Sequence, residues 1–541
     1  MQSKFEEFST PTSSCCCCHS NCEQSRRSFL KTGAAVSAGV GLLASQSVTA
    51  RANSDDNKYT VKVFFALNAP VVAPEDPNWP HVGFDFRPHM DDYMVDFQNA
   101  CPEINFVSQM CKNMDEAHSI VNHDTANGDI DGYIVMQMNA WNRVVNAPVN
   151  SRKPTLYTGL IFGGDAALLI YGAGILRDTA GKWDNFGFMQ TSSRQDILEA
   201  VKCFNAMKDG GKASDFGKMI TDLRIARTLP KRNLTCKSDP IDTLTVKETL
   251  EQIKGRKLIR VNPRGSAGEW PELVKKALGI DVIMMNFKTL QDEFENADPE
   301  EVAKRVKSWK ETARTIELVS DETLEKSARI AAGMKKIVDD NKAMGITIDC
   351  LGGFYSGALK GFPCLGFVEL LNSGLVGACE CDLNSSLTMI IMTTLTKGRP
   401  GFISDPIMDS ATRQIVYAHC VATTKVFGPN SSESPYHILT HSEDRNGASV
   451  RSILPLGYMT TTLLMVPDRK SIVFHQAKTV ANCNSDRACR TKLCGEPVGD
   501  FEKLFTEWDR WGWHRVTYYG DLKKPVFDLA EALGWEVVEE A

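Results

Sequence analysis

The chain has 541 residues, 43% of them hydrophobic and 24% charged, and carries a formal net charge of -6. This is an ordinary globular composition, long enough for roughly two to four domains. With no basic excess to neutralise phosphates, a nucleic-acid surface is excluded as the main business of the chain.

Residues 25–31 read Ser-Arg-Arg-Ser-Phe-Leu-Lys, a twin-arginine export signal. Residues 32–48 form an apolar, Gly/Ala/Ser-rich run, too short and too weak to span a membrane. Ala50-Arg51-Ala52 is an A-x-A cleavage site. Residues 1–52 are therefore read as a signal peptide. The mature chain is expected to be periplasmic or extracellular, with no stable membrane insertion. The twin-arginine route carries folded proteins, and loading a metal in the cytoplasm is one physical reason to use it. Of the 17 cysteines, Cys15, Cys16, Cys17, Cys18 and Cys22 lie in this leader beside His19. The remainder contain no C-x-x-C pair, so a zinc ribbon does not fit. Cys483, Cys489 and Cys494 sit close together in a polar loop, where a local disulfide and unpaired thiols both fit.

After the leader, residues 59–67, 104–110, 132–138 and 155–162 read as strands, with helices over 87–99 and 114–125. Such alternation predicts βαβ units and a parallel sheet. Gly163-Gly164-Asp165 follows the fourth strand, where α/β sheets place either a ligand loop or a tight turn. Residues 192–228 read as helical, capped by Ser193, and 231–242 as a linker. A second unit follows, with strands at 257–261, 281–287 and 346–349, a helix over 270–278, and a Gly352-Gly353 turn. Asp298-Pro299-Glu300-Glu301 opens one helix with an N-cap and a Pro at N1; Ser320 opens another that reaches about residue 344. Short strands then predominate, at 414–422, 449–453, 460–467 and 470–476. They predict an antiparallel barrel or sandwich. Residues 500–509 read as helix, 513–518 as strand, 523–533 as helix and 535–538 as an edge strand. The predicted fold class is α/β: two Rossmann-like domains, 53–240 and 241–395, followed by a β-rich, barrel-like domain, 396–541.

The most informative stretch is residues 377–405. Glu380 and Asp382 follow a short apolar segment. Residues 387–395 read as a buried helix, with Gly398 at its C′ position and Pro400 stopping it. A second apolar run then delivers Asp405. Buried carboxylates are costly unless paired, hydrogen-bonded or bound to metal. A polar helix N-terminus, capped by Asp382 or Asn384, is the plainer reading of the acidic pair.

This stretch resembles the metal-site region of the L-fucose isomerase and L-arabinose isomerase family. There an E-x-D segment opens a buried helix, and a second carboxylate follows about two dozen residues later. His514, in Trp511-Gly-Trp-His-Arg515, is similar to the family's late histidine ligand, and His419, in Ala418-His-Cys420, stands where the arabinose branch has another. The domain order is similar too. Here the acidic motif carries Cys381 between the carboxylates, and an export leader precedes the fold.

The resemblance implies an aldose–ketose isomerase acting on a monosaccharide, with a proton moved between C1 and C2 through an enediol. It implies Glu380 and Asp405 as catalytic groups and, with His514, as metal ligands. His419 and Asp382 are additional ligands or outer supports, and Arg490 a substrate-binding candidate. The mixed oxygen/nitrogen donor set suits Mn²⁺. Relatives assemble as trimers or hexamers, so a homo-oligomer is expected. Plainer readings stand beside these. Among Trp508, Trp511, Trp513 and Tyr518, His514 fits a packed core histidine; His419 fits a strand core; Arg490 fits a solvated loop. At the level of function, the alternative is a non-catalytic exported carbohydrate-binding protein.

Overall fold

The computed structural model describes residues 58–178, 182–261 and 268–541. The leader and its cysteines lie outside the described residues. The first sheet is parallel, in the order β2-β1-β3-β4-β5. Its strands are β1 (Thr60–Ala66), β2 (Asn105–Cys111), β3 (Gly132–Gln137), β4 (Thr155–Gly159) and β5 (Phe186–Phe188). Every residue of β3 is buried, as expected when helices cover both faces of a parallel sheet. The strand order reverses at β1, and ligand-facing loops of such sheets lie at the carboxyl ends near that point.

Those carboxyl ends are shaped by two close-packed loops. After β4, a Cβ on Gly163 would lie 2.2 Å from the Met138 carbonyl oxygen and one on Gly164 2.7 Å from Gln137. The glycine pair thus lets the chain turn tightly against β3 into helix Asp165–Arg177. After β3, Trp141 (φ 73°) and Arg143 (φ 52°) both occupy left-handed backbone. That conformation is strained for bulky residues.

The second sheet is also parallel, in the order β10-β9-β6-β7. It comprises β6 (Lys257–Val261), β7 (Asp281–Met285), β9 (Gly345–Ile348) and β10 (Val376–Cys379). The short β8 (Thr315–Glu317) pairs instead with β13 (Tyr436–Leu439), which pairs with β14 (Ser449–Ser452). Ser320 and Asp298 cap their helices as expected. Three local expectations differ. The strand at 281 stops at Met285, because Asn286 caps a new helix, Phe287–Glu295. Gly352 and Gly353 lie within helix Cys350–Tyr355, capped by Asp349, rather than in a turn. Left-handed backbone after helix Leu383–Leu395 begins at Lys397 (φ 54°), one residue before Gly398.

The last part is a closed barrel. β11 (Phe402–Asp409), β12 (Gln414–His419), β15 (Met459–Val466), β16 (Ser471–Asn482), β17 (Thr491–Pro497) and β18 (Arg515–Tyr519) pair antiparallel around a ring, closed by the β15–β16 ladder. The terminal β19 (Glu536–Glu539) joins β16 in parallel. The stretch holding Cys489 and Cys494 is not a polar loop: both are buried, and Cys494 lies in β17. All twelve cysteines among the described residues are thiols.

Candidate active site

Four chain segments meet at one end of the barrel. β10 ends at Cys379, and Glu380 (φ 61°) and Cys381 (φ 54°) follow in consecutive left-handed conformations. Each such residue costs about 1–3 kcal/mol, and such strain clusters at functional sites. The kink separates the two acidic side chains. Asp382 turns onto the helix N-terminus, where Ser385 N donates to it at 2.9 Å and Ser385 Oγ at 3.0 Å. The Cys381 thiol points elsewhere, donating to the Val261 carbonyl at 3.3 Å.

The barrel supplies the rest. β11 pairs Asp405 with Ala418 of β12 and Ser404 with Arg515 of β18. This register brings His419 and His514 to either side of Asp405, which is fully buried. His514 Nδ1 lies 2.9 Å from Asp382 Oδ2, and its Nε2 is 3.4 Å from Asp405 Oδ1. Asp382 therefore caps the helix and orients His514 at once. His419 Nε2 is 3.6 Å from Glu380 Oε1 and 3.9 Å from Asp405 Oδ2. The two imidazoles meet edge to face at 5.7 Å.

Burial pushes the Asp405 carboxyl above its ordinary range, against the pull of His514 and His419. Burial would lower His514, but its hydrogen bond to Asp382 and the nearby carboxylates of Asp405 and Glu380 overcome this and raise it well above the usual histidine range. Carboxylates crowded this deeply require positive charge nearby. The side-chain donor atoms of Asp405, His419 and His514 all lie within 4.8 Å of one another, and so do those of Cys379, Glu380 and His419.

Two further features escaped the sequence. The Cys379 thiol sits 3.5 Å from His419 Nδ1 and 3.6 Å from Nε2. Its position directly before Glu380 was the only available signal. Trp513 Nε1 donates to Asp405 Oδ1 at 3.1 Å, and its ring stacks on Trp141 at 4.7 Å. The strained loop after β3 thereby carries the first sheet's carboxyl edge onto the site. Arg490 is neither solvated nor part of the donor cluster. It is 1% exposed, donating to the Thr440 carbonyl at 2.8 Å and to Asp486 Oδ1 at 2.7 Å.

Residues 23–42 match the model for the TAT (twin-arginine translocation) pathway signal sequence. The chain thus carries the signal for export by that pathway. Among the described residues, no helix is long and apolar enough to cross a membrane.

The chain is similar to sulfoquinovose isomerases. That of Clostridium sp. (strain MSTE9) is 23% identical over 274 residues, 48% of this chain and 58% of that protein. Those of Priestia aryabhattai (27% over 104 residues) and Alkalicoccus urumqiensis (25% over 103 residues) each match 19% of this chain and 23% of their own length. The chain thus spans less than two thirds of the length of these curated relatives. A solved structure described as an ABC transporter permease from the Pseudomonas fluorescens group aligns at a TM-score of 0.17 and 10% identity, over 54% of this chain and 57% of that one. That value is too low to carry a fold argument.

Proposed function

We propose that the exported chain is a metal-dependent aldose–ketose isomerase acting on a monosaccharide, built on the L-fucose/L-arabinose isomerase fold. The observation that carries this reading is the buried convergence of Glu380, Asp405, His419 and His514 at the mouth of the barrel. The similarity to sulfoquinovose isomerases supports it and makes sulfoquinovose the first sugar to assay.

The donor set fits a divalent ion. Separations of 3.4, 3.6 and 3.9 Å between imidazole nitrogens and carboxylate oxygens are long for hydrogen bonds. They approach the spacing of donors around a centre with bonds of about 2.0–2.2 Å. Glu380, Asp405 and His514 would hold the ion, with His419 as an additional ligand. Oxygen and imidazole donors suit Mn²⁺. A bound divalent ion would supply Lewis acidity toward the sugar oxygens.

The remaining steps belong to this chain's own residues. One of the pair Glu380 and Asp405 takes the proton from C2 of the aldose and a proton is delivered to C1, while the O2 hydroxyl proton passes to O1 through the enediol, to leave the ketose; the reverse reaction exchanges the roles. Asp382 holds the His514 ring so that Nε2 faces the site. Trp513 fixes Asp405, and the Trp141 ring braces Trp513. We also propose that the protein is a homo-oligomer, trimer or hexamer, which light scattering on the purified chain would measure.

Isomerisation in deuterated water, followed by NMR, tests the reaction. Deuterium entering C1 or C2 of sulfoquinovose or another aldose, abolished by Glu380→Gln, is the expected result. Tight sugar binding with no turnover and no ion requirement would favour a carbohydrate-binding protein instead.

A further inference from the structure

Two donor sets share His419. One contains only oxygen and nitrogen, from Asp405, His419 and His514; the other adds sulfur, from Cys379, Glu380 and His419. Cys379 is 2% exposed and closes β10, so its thiol is held by the sheet rather than by a loop. The Cys379 sulfur lies 3.5 Å from His419 Nδ1 and 3.6 Å from Nε2, and the Glu380 oxygen 3.6 Å from Nε2, so a turn of the ring on its own axis would aim one nitrogen at an ion between them. In a tetrahedral zinc site, with bonds of about 2.3 Å to sulfur and 2.0–2.2 Å to nitrogen or oxygen, donors stand roughly 3.4–3.6 Å apart.

We propose that Cys379, Glu380 and His419 form a thiophilic ion site overlapping the divalent site, which takes Zn²⁺ or Cd²⁺ in competition with a hard ion such as Mn²⁺. Soft thiolate donors favour zinc-like ions, and on nitrogen/oxygen/sulfur sites zinc already binds more tightly than manganese. A hard ion is held by the oxygen and imidazole donors and leaves the thiol protonated. A soft ion displaces the thiol proton to solvent and binds the resulting thiolate. Because Glu380 and the His419 ring serve both the proposed divalent site and the sulfur-containing set, the two ions exclude each other. The chain would therefore be sensitive to zinc once exported, which is a reason to fill the site before export. This inference shares Glu380 and His419 with the proposed divalent site but does not depend on the isomerase reaction.

Titration of the exported form, from which the leader and its five cysteines have been removed, tests the proposal without any activity assay. The ion-free chain is titrated separately with Cd²⁺, Co²⁺ and Mn²⁺. Cd²⁺ and Co²⁺ are expected to give sulfur-to-metal charge-transfer absorption that saturates at a single ion per chain. Cd²⁺ should also displace Mn²⁺, followed by the electron spin resonance of the released ion. Cys379→Ser and Cys379→Ala should each remove the band and weaken Cd²⁺ by about tenfold or more, with Mn²⁺ affinity held within about threefold. Retained Mn²⁺ affinity also shows that the variants are folded. Mn²⁺ binding with no charge-transfer band in the parent chain, or a band surviving both substitutions, would overturn this inference and leave the divalent site standing. A parent chain that binds no ion would overturn both.

Discussion

His514 and Arg515 are consecutive residues that enter two different buried charge networks. Arg515 is fully buried, and its Nη2 donates to Glu540 Oε2 at 2.8 Å, while His475 Nδ1 lies 2.9 Å from Glu540 Oε1. Tyr417 Oη lies 2.7 Å from the other nitrogen of His475. In this network a guanidinium answers the carboxylate directly, over hydrogen-bond distances. In the other, Glu380 and Asp405 face imidazoles at 3.4 to 3.9 Å. One network is tight and pins the end of the chain to the barrel. The other is wider and has the dimensions of an ion site. On the proposed reading, the difference separates a histidine–carboxylate cluster that stabilises from one that would react, although both are deeply buried and both use carboxylates with histidine.

The largest predicted effect is in the wide network. Glu380→Gln should lower isomerase turnover by about 100- to 10,000-fold, while the thermal midpoint, read by circular dichroism, stays close to that of the parent. Asp382→Asn separates orientation from capping. Asparagine caps helices as well as aspartate does, so stability should hold, whereas losing the carboxylate behind His514 should weaken Mn²⁺ by about 10- to 100-fold. Calorimetric titration of the variant would measure both.

The tight network should behave in the opposite way. Glu540→Gln leaves Arg515 buried without its carboxylate, a change that costs about 3–5 kcal/mol, with activity per folded molecule retained. Urea unfolding paired with turnover would check the contrast. The same group sets a pH dependence. Burial pushes the Glu540 carboxyl up, but Arg515 and His475 overcome it and hold it at about 2, against an ordinary 4.5. A depressed carboxyl stabilises fully above its unfolded value, and that stabilisation is lost as pH falls through the folded one. The contribution of Glu540 should therefore be intact at neutral pH and disappear between about 4.5 and 2. Glu540→Gln should flatten the stability profile in that window.

The smallest predicted effect is at Trp141. Removing its stack on Trp513 with Trp141→Ala should cost about 0.5–1.5 kcal/mol beyond the lost area, read as a lower urea midpoint, with a modest fall in turnover because Trp513 also holds Asp405.

Much of the wide network is legible in the sequence. Glu380, Asp382 and Asp405 flank an apolar helix, a pattern that burial makes expensive, and His514 stands in an aromatic stretch. Seven of the nine strands of the two parallel sheets are legible for a similar reason: they are short apolar runs bounded by turn residues; the three-residue β5 was not read, and β10 was read only as a short apolar segment. Helix Asp165–Arg177 was not predicted, because eight of its residues are buried and a helix that is apolar on most sides has no amphipathic period to read. β17 contains Gly495 and Pro497 and reads as loop; its ladders to β12 and β16 make it a strand. Cys379 offered only its place directly before Glu380, and Trp141 offered nothing, because their roles depend on contacts with His419 and Trp513, distant in sequence. Arg490 has the composition of a solvated loop residue, yet its partners Thr440 and Asp486 draw it inside.

The most direct test is the ion content of the chain purified without added metal, measured by mass spectrometry for the parent and for Glu380→Ala and His514→Ala. The account predicts about one Mn²⁺ per chain in the parent and less than about a tenth of that in both variants. An ion content unchanged by either substitution, or a parent chain that neither contains nor takes up a divalent ion, would contradict it.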